Sequence, residues 1–417
     1  MDEFIINGGR KLSGKLKAHG AKNSALPLLT AAILPDSPSV IHNCPNLTDI
    51  DNCIEILKHL GCAVTRENDT VTVDPRGLCK NDIPLSMMEC MRSSIVFLGA
   101  LLSKTGSASL YEPGGCKIGK RPIDLHISAL KNLGVSFECN DGMMEFRLDG
   151  GFKGTGIRLD FPSVGATENI MLASVLSCGV TVIENAAREP EIVDLANFLT
   201  KMGARVYGAG EKRIVIEGVS KLNGAEYNVM ADRIEVATFM SVSAITKGKL
   251  TVSNAQHMHL IPVIDVFGKM GCEITVRKNE ISLVSPERLK SPGVIHTMPY
   301  PGFPTDCQAI VMAMTSVADG DSLFYENIFE NRFLHVPELI KMGADIRIKD
   351  TAAIVKGVSE LYGSKIESND LRGGAALVAA ALKANGESVV SGIHHIDRGY
   401  EEFENSLLEL GADIRRS

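Results

Sequence analysis

The stretch Gly114-Gly115-Cys116-Lys117-Ile118-Gly119-Lys120-Arg121-Pro122 sets a thiol among glycines and cations. Counted from Gly114, Gly119 and Lys120 fall where a phosphate-binding loop places its second glycine and its lysine. Such a loop continues with Ser or Thr, whose hydroxyl holds magnesium. Here Arg121 follows instead. A guanidinium replaces the metal-binding hydroxyl, so the stretch reads as a metal-free anion site built around Cys116. Cations beside a thiol favour its thiolate and make it reactive.

Other polar residues recur at regular places. Lys22-Asn23, Arg92, Ser163-Val164-Gly165, Asp232-Arg233, Asp306 and Arg372 each open a segment rich in small apolar residues, such as "AKNSALPLLTAAIL" and "LRGGAALVAAAL". These segments are apolar on most sides and predict buried helices. A helix N-terminus exposes unpaired N–H groups and suits anions. Lys or Arg there opposes the helix dipole unless a negative group is close. A second, amphipathic series includes "IVDLANFLTKMGARV" and "FENSLLELGADI", with Arg121, Arg188, Arg332 and Arg398 at its heads. Taken singly, each residue has a plainer reading. Arg at a loop–helix junction is commonly solvated, Asp306 fits a helix cap, and Cys116 alone would be a structural thiol. The recurrence of cations at one position of a repeat shifts the balance toward a basic pocket in an acidic protein.

The repeat is marked by Gly61, Gly134, Gly203, Gly271, Gly343 and Gly411, separated by 73, 69, 68, 72 and 68 residues. Each follows an amphipathic segment, where glycine stops a helix by taking the left-handed conformation cheaply. Each unit reads as strand, buried helix, strand, amphipathic helix, strand, strand. Six such units of about 70 residues predict an α/β protein of two globular domains rather than a solenoid. The opening segment "FIINGGRKLSG" is expected to pair with the far end of the chain. That places one domain at 22–229 and the other at 1–21 plus 230–417. If pseudo-symmetry relates the units, the helix heads converge on an inter-domain cleft.

Composition narrows the function classes. The 417 residues are 45 % hydrophobic and 22 % charged, with a formal net charge of −7 and no Trp. Nucleic-acid binding, which needs a basic face, is disfavoured. Ten cysteines occur without a CxxC pair, which argues against a zinc knuckle or a redox pair. Most are expected to be small core residues. His257 with His259, and His394 with His395, lack the spacing of a helical zinc pair, so no metal is expected. With no signal-peptide pattern and no apolar run of about 18 residues, a cytoplasmic protein is expected.

The segments "GAKNSALP", "MRSSI", "PGGCKIGKRPIDLHI", "SVGATENI", "ENAAREPEIVDLANFL", "FPTDCQA", "FENRFLHVPEL", "DLRGGAAL" and "HIDRGYE" together resemble the UDP-N-acetylglucosamine 1-carboxyvinyltransferases along essentially the whole chain. The resemblance implies two inside-out α/β barrels, each with threefold pseudo-symmetry. It also implies transfer of the enolpyruvyl group of phosphoenolpyruvate to the sugar 3-hydroxyl, with release of phosphate and no cofactor. Cys116 would be the acid that protonates C3, the residue that could carry a covalent adduct, and the target of fosfomycin. Asp306 is the candidate base, with Lys22 and Arg398 also catalytic. Phosphoenolpyruvate would meet Lys22, Asn23, Arg121, Arg332, Arg372 and Arg398. The UDP-sugar would meet Arg92, Arg121, Pro122, Ile123, Asp124, Leu125, Ser163, Val164, Gly165, Asp306 and Ile328. Residues 112–121 would form a lid that excludes water. Two departures stand out: Phe161-Pro162 replaces a lysine common before the "SVG" turn, and Lys120 replaces a small residue. The alternatives are a 3-phosphoshikimate 1-carboxyvinyltransferase, a non-catalytic sugar-nucleotide sensor and a P-loop hydrolase.

Overall fold

Six four-stranded sheets, all wired alike, organise the computed structural model of the chain. It describes every residue except Met1, Gly115, Cys116, Lys117, Lys120 and Arg121. The sheet formed by Asp82–Ile83, Ser107–Tyr111, Met143–Arg147 and Ser136–Asn140 shows the wiring. Its first pair is parallel and the other two are antiparallel. A parallel pair needs a crossover, supplied here by the buried helical segment, whereas the last two strands join through a short turn. Asn68, Asp141, Asn279 and Asp350 take positive φ at the equivalent hairpin turns, as tight turns require. Gly61, Gly134, Gly203, Gly271, Gly343 and Gly411 all lie between φ 91° and 103°. They end their helices as the glycine spacing predicts.

The chain forms two compact units. One holds the chain up to His19 and from Ala231 to Ser417, together with Ile118 and Gly119. Its central helices, Arg233–Ile245, Gln308–Thr315 and Leu371–Lys383, pack on one another. All of Arg233–Ile245 is buried, and so is Leu371–Lys383 from Arg372 to Leu382. Three sheets cover this helical centre, so the helices are inside and the strands outside. The opening segment contributes two strands rather than one. Phe4–Asn7 pairs antiparallel with Glu387–Ser391 and with Asp413–Arg416, near the chain's end. Gly14–Lys17 runs parallel to Lys249–Ser253.

The other unit holds Gly20 to Met230 apart from those loop residues. It repeats the plan with the buried helices Lys22–Ala31, Phe97–Thr105 and Val164–Ser174. Strand Glu226–Asn228 returns to run parallel to Ser39–His42, closing this unit's third sheet. The amphipathic helices Thr48–His59, Asp124–Asn132 and Pro190–Lys201 lie between strands, each with one apolar face in the core. Among the described residues, no helix is long and apolar enough to cross a membrane.

Candidate active site

In the unit that contains the C-terminus, the residues brought together are Asp306, Arg332 and Arg372. Asp306 lies in the 3-10 turn Thr305–Cys307, just ahead of helix Gln308–Thr315. It is not a cap, because Pro304 occupies that position and no side chain caps the turn. Its Oδ1 accepts from Arg332 Nη2 at 2.9 Å, and its Oδ2 from Arg372 Nη2 at 3.3 Å. Both guanidiniums are buried, at 3 % and 4 % exposure, whereas the Asp306 side chain is 29 % exposed. The carboxylate therefore remains open to solvent and ligand while its neighbours are fixed.

Arg372 is the second residue of helix Leu371–Lys383, whose N-cap is Asp370. Asp370 accepts from Arg372 N and Gly373 N, both at 3.0 Å, and lies 3.8 Å from Arg332 Nη1. Burial opposes the Arg372 charge, but Tyr400, Asp306 and Asp232 outweigh it and hold its pKa above the ordinary value. The Arg372 guanidinium also sits 5.3 Å over the Tyr400 ring, within cation–π range. Arg372 Nη1 has no hydrogen-bond partner among the described residues. A buried guanidinium N–H left over in this way is a donor suited to a carboxylate or phosphate oxygen. Arg332 precedes its helix, Val336–Lys341, by four residues rather than heading it. Arg398 is half-buried in the turn before Phe403–Glu409. Ile328 is half-buried, and its N–H donates to Glu326.

Cys116 and Arg121 lie outside the described residues. Ile118 and Gly119 are described: the Ile118 carbonyl accepts from Asn331 N at 2.9 Å, next to Arg332. Cys44, Cys53, Cys62, Cys272 and Cys307 are buried, but Cys79, Cys90, Cys139 and Cys178 are exposed, so the core reading holds for only some of the thiols. Burial pushes the Cys307 thiol up to about 12. Its place beside Asp306 thus does not make it a nucleophile.

In the other unit, Lys22 is the first residue of its helix, is buried, and donates to Asp49 Oδ2 at 3.0 Å. The negative group expected near this helix head is thus already present as a buried carboxylate. Asn23 beside it is exposed. Arg92 opens a 3-10 turn and donates through Nη1 to Pro113 O at 3.0 Å. Gly114 approaches Glu89 so closely that a Cβ would meet that residue's backbone at 2.8 Å. Two of the segments expected at the nucleotide, the Asp124 helix and the Ser163–Gly165 turn, pack on each other. Ser163 caps helix Val164–Ser174, accepting from Ala166 N at 3.3 Å. His126, two residues into the helix begun by Asp124-Leu125, bonds Asn169 of the Ser163-capped helix at 2.7 Å. Its ring lies where a Cβ on Gly165 would be at 3.0 Å. This joins the Asp124 helix to the Ser163–Gly165 turn. Pro122 and Asp124 are exposed, Leu125 is half-buried and Ile123 is buried. Phe161 is 42 % exposed in the turn just before.

A protein-family model described as EPSP synthase (3-phosphoshikimate 1-carboxyvinyltransferase) matches residues 6–407. The chain belongs to this family. It is 50 % identical to the UDP-N-acetylglucosamine 1-carboxyvinyltransferase 2 of Caldanaerobacter subterraneus subsp. tengcongensis, with both chains covered in full. It is 47 % identical to the UDP-N-acetylglucosamine 1-carboxyvinyltransferase of Halothermothrix orenii, again over the whole of both chains. Within the family it therefore falls among the UDP-N-acetylglucosamine 1-carboxyvinyltransferases. The solved enolpyruvyl transferase NikO from Streptomyces tendae shares its fold, with a TM-score of 0.90 at 24 % identity over 100 % of this chain and 99 % of that one. An EPSP synthase from Acinetobacter baumannii matches at a TM-score of 0.77 and 20 % identity over the full length of both chains.

Some residues of this family member escape sequence reasoning. Asp49 is the second residue of the amphipathic helix Thr48–His59 and carries no motif of its own, yet it is 3 % exposed. Its partner Lys22 is 27 positions away, so no local pattern links the two. Asp370 carried a findable signal, since Asp before a helical run is a favoured cap. His126 and Tyr400 lie inside recognised segments, but only packing reveals what they touch.

Proposed function

We propose that this protein transfers the enolpyruvyl group of phosphoenolpyruvate to the 3-hydroxyl of UDP-N-acetylglucosamine and releases phosphate, a cytoplasmic step of peptidoglycan synthesis. The observation that carries the reading is Asp306 held between two buried guanidiniums, in a chain whose full-length relatives are named for this activity. Asp306 takes the proton of the sugar hydroxyl as its oxygen bonds to C2 of the enol. Cys116 gives its proton to C3, which makes a tetrahedral intermediate. Loss of the C3 proton and departure of phosphate then restore the double bond in the product.

The cations explain how such a base is kept in reserve. A carboxylate paired with two guanidiniums is a weak base. An incoming phosphate or carboxylate competes with the part-exposed Asp306 for Arg332 and Arg372. As the guanidiniums turn to the ligand, the Asp306 carboxylate is released to accept from the sugar hydroxyl. Lys22, Asn23, Arg121 and Arg398 hold phosphoenolpyruvate in the same sense. Arg92, Arg121, Pro122–Leu125 and Ser163–Gly165 hold the nucleotide, with helix N–H groups facing its diphosphate. Positive charge from side chains and helix ends stabilises the developing anion.

The test is phosphate release from phosphoenolpyruvate with each acceptor in turn. Release with UDP-N-acetylglucosamine is expected. Release only with shikimate 3-phosphate would assign the sister reaction, and binding of the sugar nucleotide without release would indicate a sensor. Alkylation by fosfomycin should map to Cys116, and phosphoenolpyruvate should protect against it. Reaction first at exposed Cys79, Cys90, Cys139 or Cys178 would remove Cys116 from its role. Cys116→Asp should retain some turnover, because a carboxylic acid can also donate the proton, whereas Cys116→Ala should lose nearly all.

A further inference from the structure

We infer that Glu326 is a positioning residue that clasps the Asp306 turn to the Ile328 loop and so sets the acceptor-sugar side of the site. The inference rests on the roles proposed above for Asp306 and Ile328. Glu326 directly follows strand Asp321–Tyr325 and is 2 % exposed. Its Oε1 accepts from Thr297 Oγ1 at 2.8 Å, Ile328 N at 2.9 Å and Phe329 N at 3.2 Å. Its Oε2 accepts from Thr305 Oγ1 at 3.0 Å. Thr305 immediately precedes Asp306, and its carbonyl accepts from Arg332 Nε and Nη2, both at 3.4 Å. One carboxylate thus joins the backbone of Ile328 to the turn that carries the candidate base. The same turn carries the carbonyl that steadies Arg332.

The chemistry of the partners explains why the clasp is a carboxylate. All four are donors, and an ionised carboxylate is acceptor-only. Among the described residues, no Lys or Arg forms an ion pair with Glu326. Burying a charge is costly unless hydrogen bonds compensate it, and here hydroxyl and backbone donors do so. Thr297 is tied into the same unit: its Oγ1 accepts from Asn327 N at 2.9 Å, and its carbonyl from Asn327 Nδ2 at 3.0 Å. The loop from 326 to 329 is therefore fixed at both ends of the carboxylate, and a shift of either segment breaks bonds to the other.

The experiment is steady-state phosphate release by the full-length enzyme, with each substrate varied in turn, for Glu326→Ala, Glu326→Gln and Thr305→Val. Glu326→Ala should lower kcat/KM for UDP-N-acetylglucosamine by at least about tenfold, with a higher KM for the sugar. Glu326→Gln can keep an acceptor toward Ile328 and Phe329 while losing the match to Thr305, so its loss should be smaller. Thr305→Val removes the same bond from the other side, and it serves if Glu326→Ala does not fold. On an Asp306→Asn background, Glu326→Ala should change kcat by less than about twofold, because interacting sites are not additive. A fully multiplicative loss on that background would overturn the clasp. So would an unchanged sugar KM and kcat in Thr305→Val and Glu326→Gln. If Asp306→Asn alone keeps full turnover, the base assignment fails. The sugar KM of Glu326→Ala then decides the clasp through Ile328: a rise supports it and an unchanged value overturns it.

Discussion

Asp232, Asp306 and Asp370 stand at corresponding helix heads of three repeats in one unit, yet they do different work. Asp232 accepts from Ile234 N at 2.8 Å and Glu235 N at 3.0 Å, and Asp370 from Arg372 N and Gly373 N. Both are buried caps. Asp306 is not the N-cap residue of its turn or of the helix after it; it sits within a 3-10 turn, and its carboxylate is turned toward Arg332 and Arg372. One extra turn ahead of the helix leaves this acid facing guanidiniums rather than the first N–H groups of a helix. The repeat supplies the position, and the local backbone decides whether the carboxylate faces N–H groups of its own helix or guanidiniums from elsewhere.

The sharpest way to break this contrast is Asp306→Asn. Turnover should fall by about 10²- to 10⁴-fold, the range for removing a general base, beyond any loss of stability from the two buried guanidiniums left without their carboxylate. A stability loss without a turnover loss would make Asp306 a cap after all. Next comes Arg332→Ala, which leaves Asp370 buried beside the lost charge. Unfolding free energy should drop by about 3–5 kcal/mol, as when one partner of a buried pair is removed; a drop of under about 1 kcal/mol, the worth of an exposed pair, would show that Asp370 does not need it. Asp232→Ala should cost about 1 kcal/mol by urea titration, the typical worth of a cap. Its turnover should fall far less than that of Asp306→Asn.

The smallest effect concerns pH. The helix capped by Asp232 is also pinned by Glu235, which accepts from His19 Nδ1 at 2.7 Å. The Glu235 hydrogen bond raises His19 to about 9, and burial raises Glu235. Both shifts mean that the folded protein holds protons the unfolded chain would release, so stability falls as pH rises. For His19 the contribution is complete below its ordinary value of 6.5 and is lost as pH climbs through about 9. The imidazole is 39 % exposed, so screening should keep the change under about 1 kcal/mol. Urea midpoints at the two ends of this window should differ less in His19→Gln than in the parent protein. An equal difference would remove the pair from the account.

Much of the fold was legible because its signals are local. Glycine after each amphipathic segment, small residues in each buried helix and the regular spacing all follow from helix geometry and packing, and six copies reinforce one another. For the site, the sequence offers a run of cations, a thiol loop and an acid in "FPTDCQ"; of these the structure brings Asp306, Arg332 and Arg372 together, while Cys116 lies outside the described residues. The wiring of the site was not legible. Asp49 and Glu326 fell outside the segments that carry the chemistry, and Asp306 taken singly fits a cap. Each acquires its role from partners far along the chain, which composition and periodicity do not report.

By itself, then, the sequence determined the repeat, the buried and amphipathic helix series and the family, because these depend on residue type and spacing within about 70 residues and on motifs spread along the chain; the inside-out layering was implied by the resemblance. Only the tertiary structure decided which carboxylate meets which cation. Ion pairing and burial are set by distances of a few ångströms between segments as remote as Asp306 and Arg372. Those distances exist only once the helices have packed.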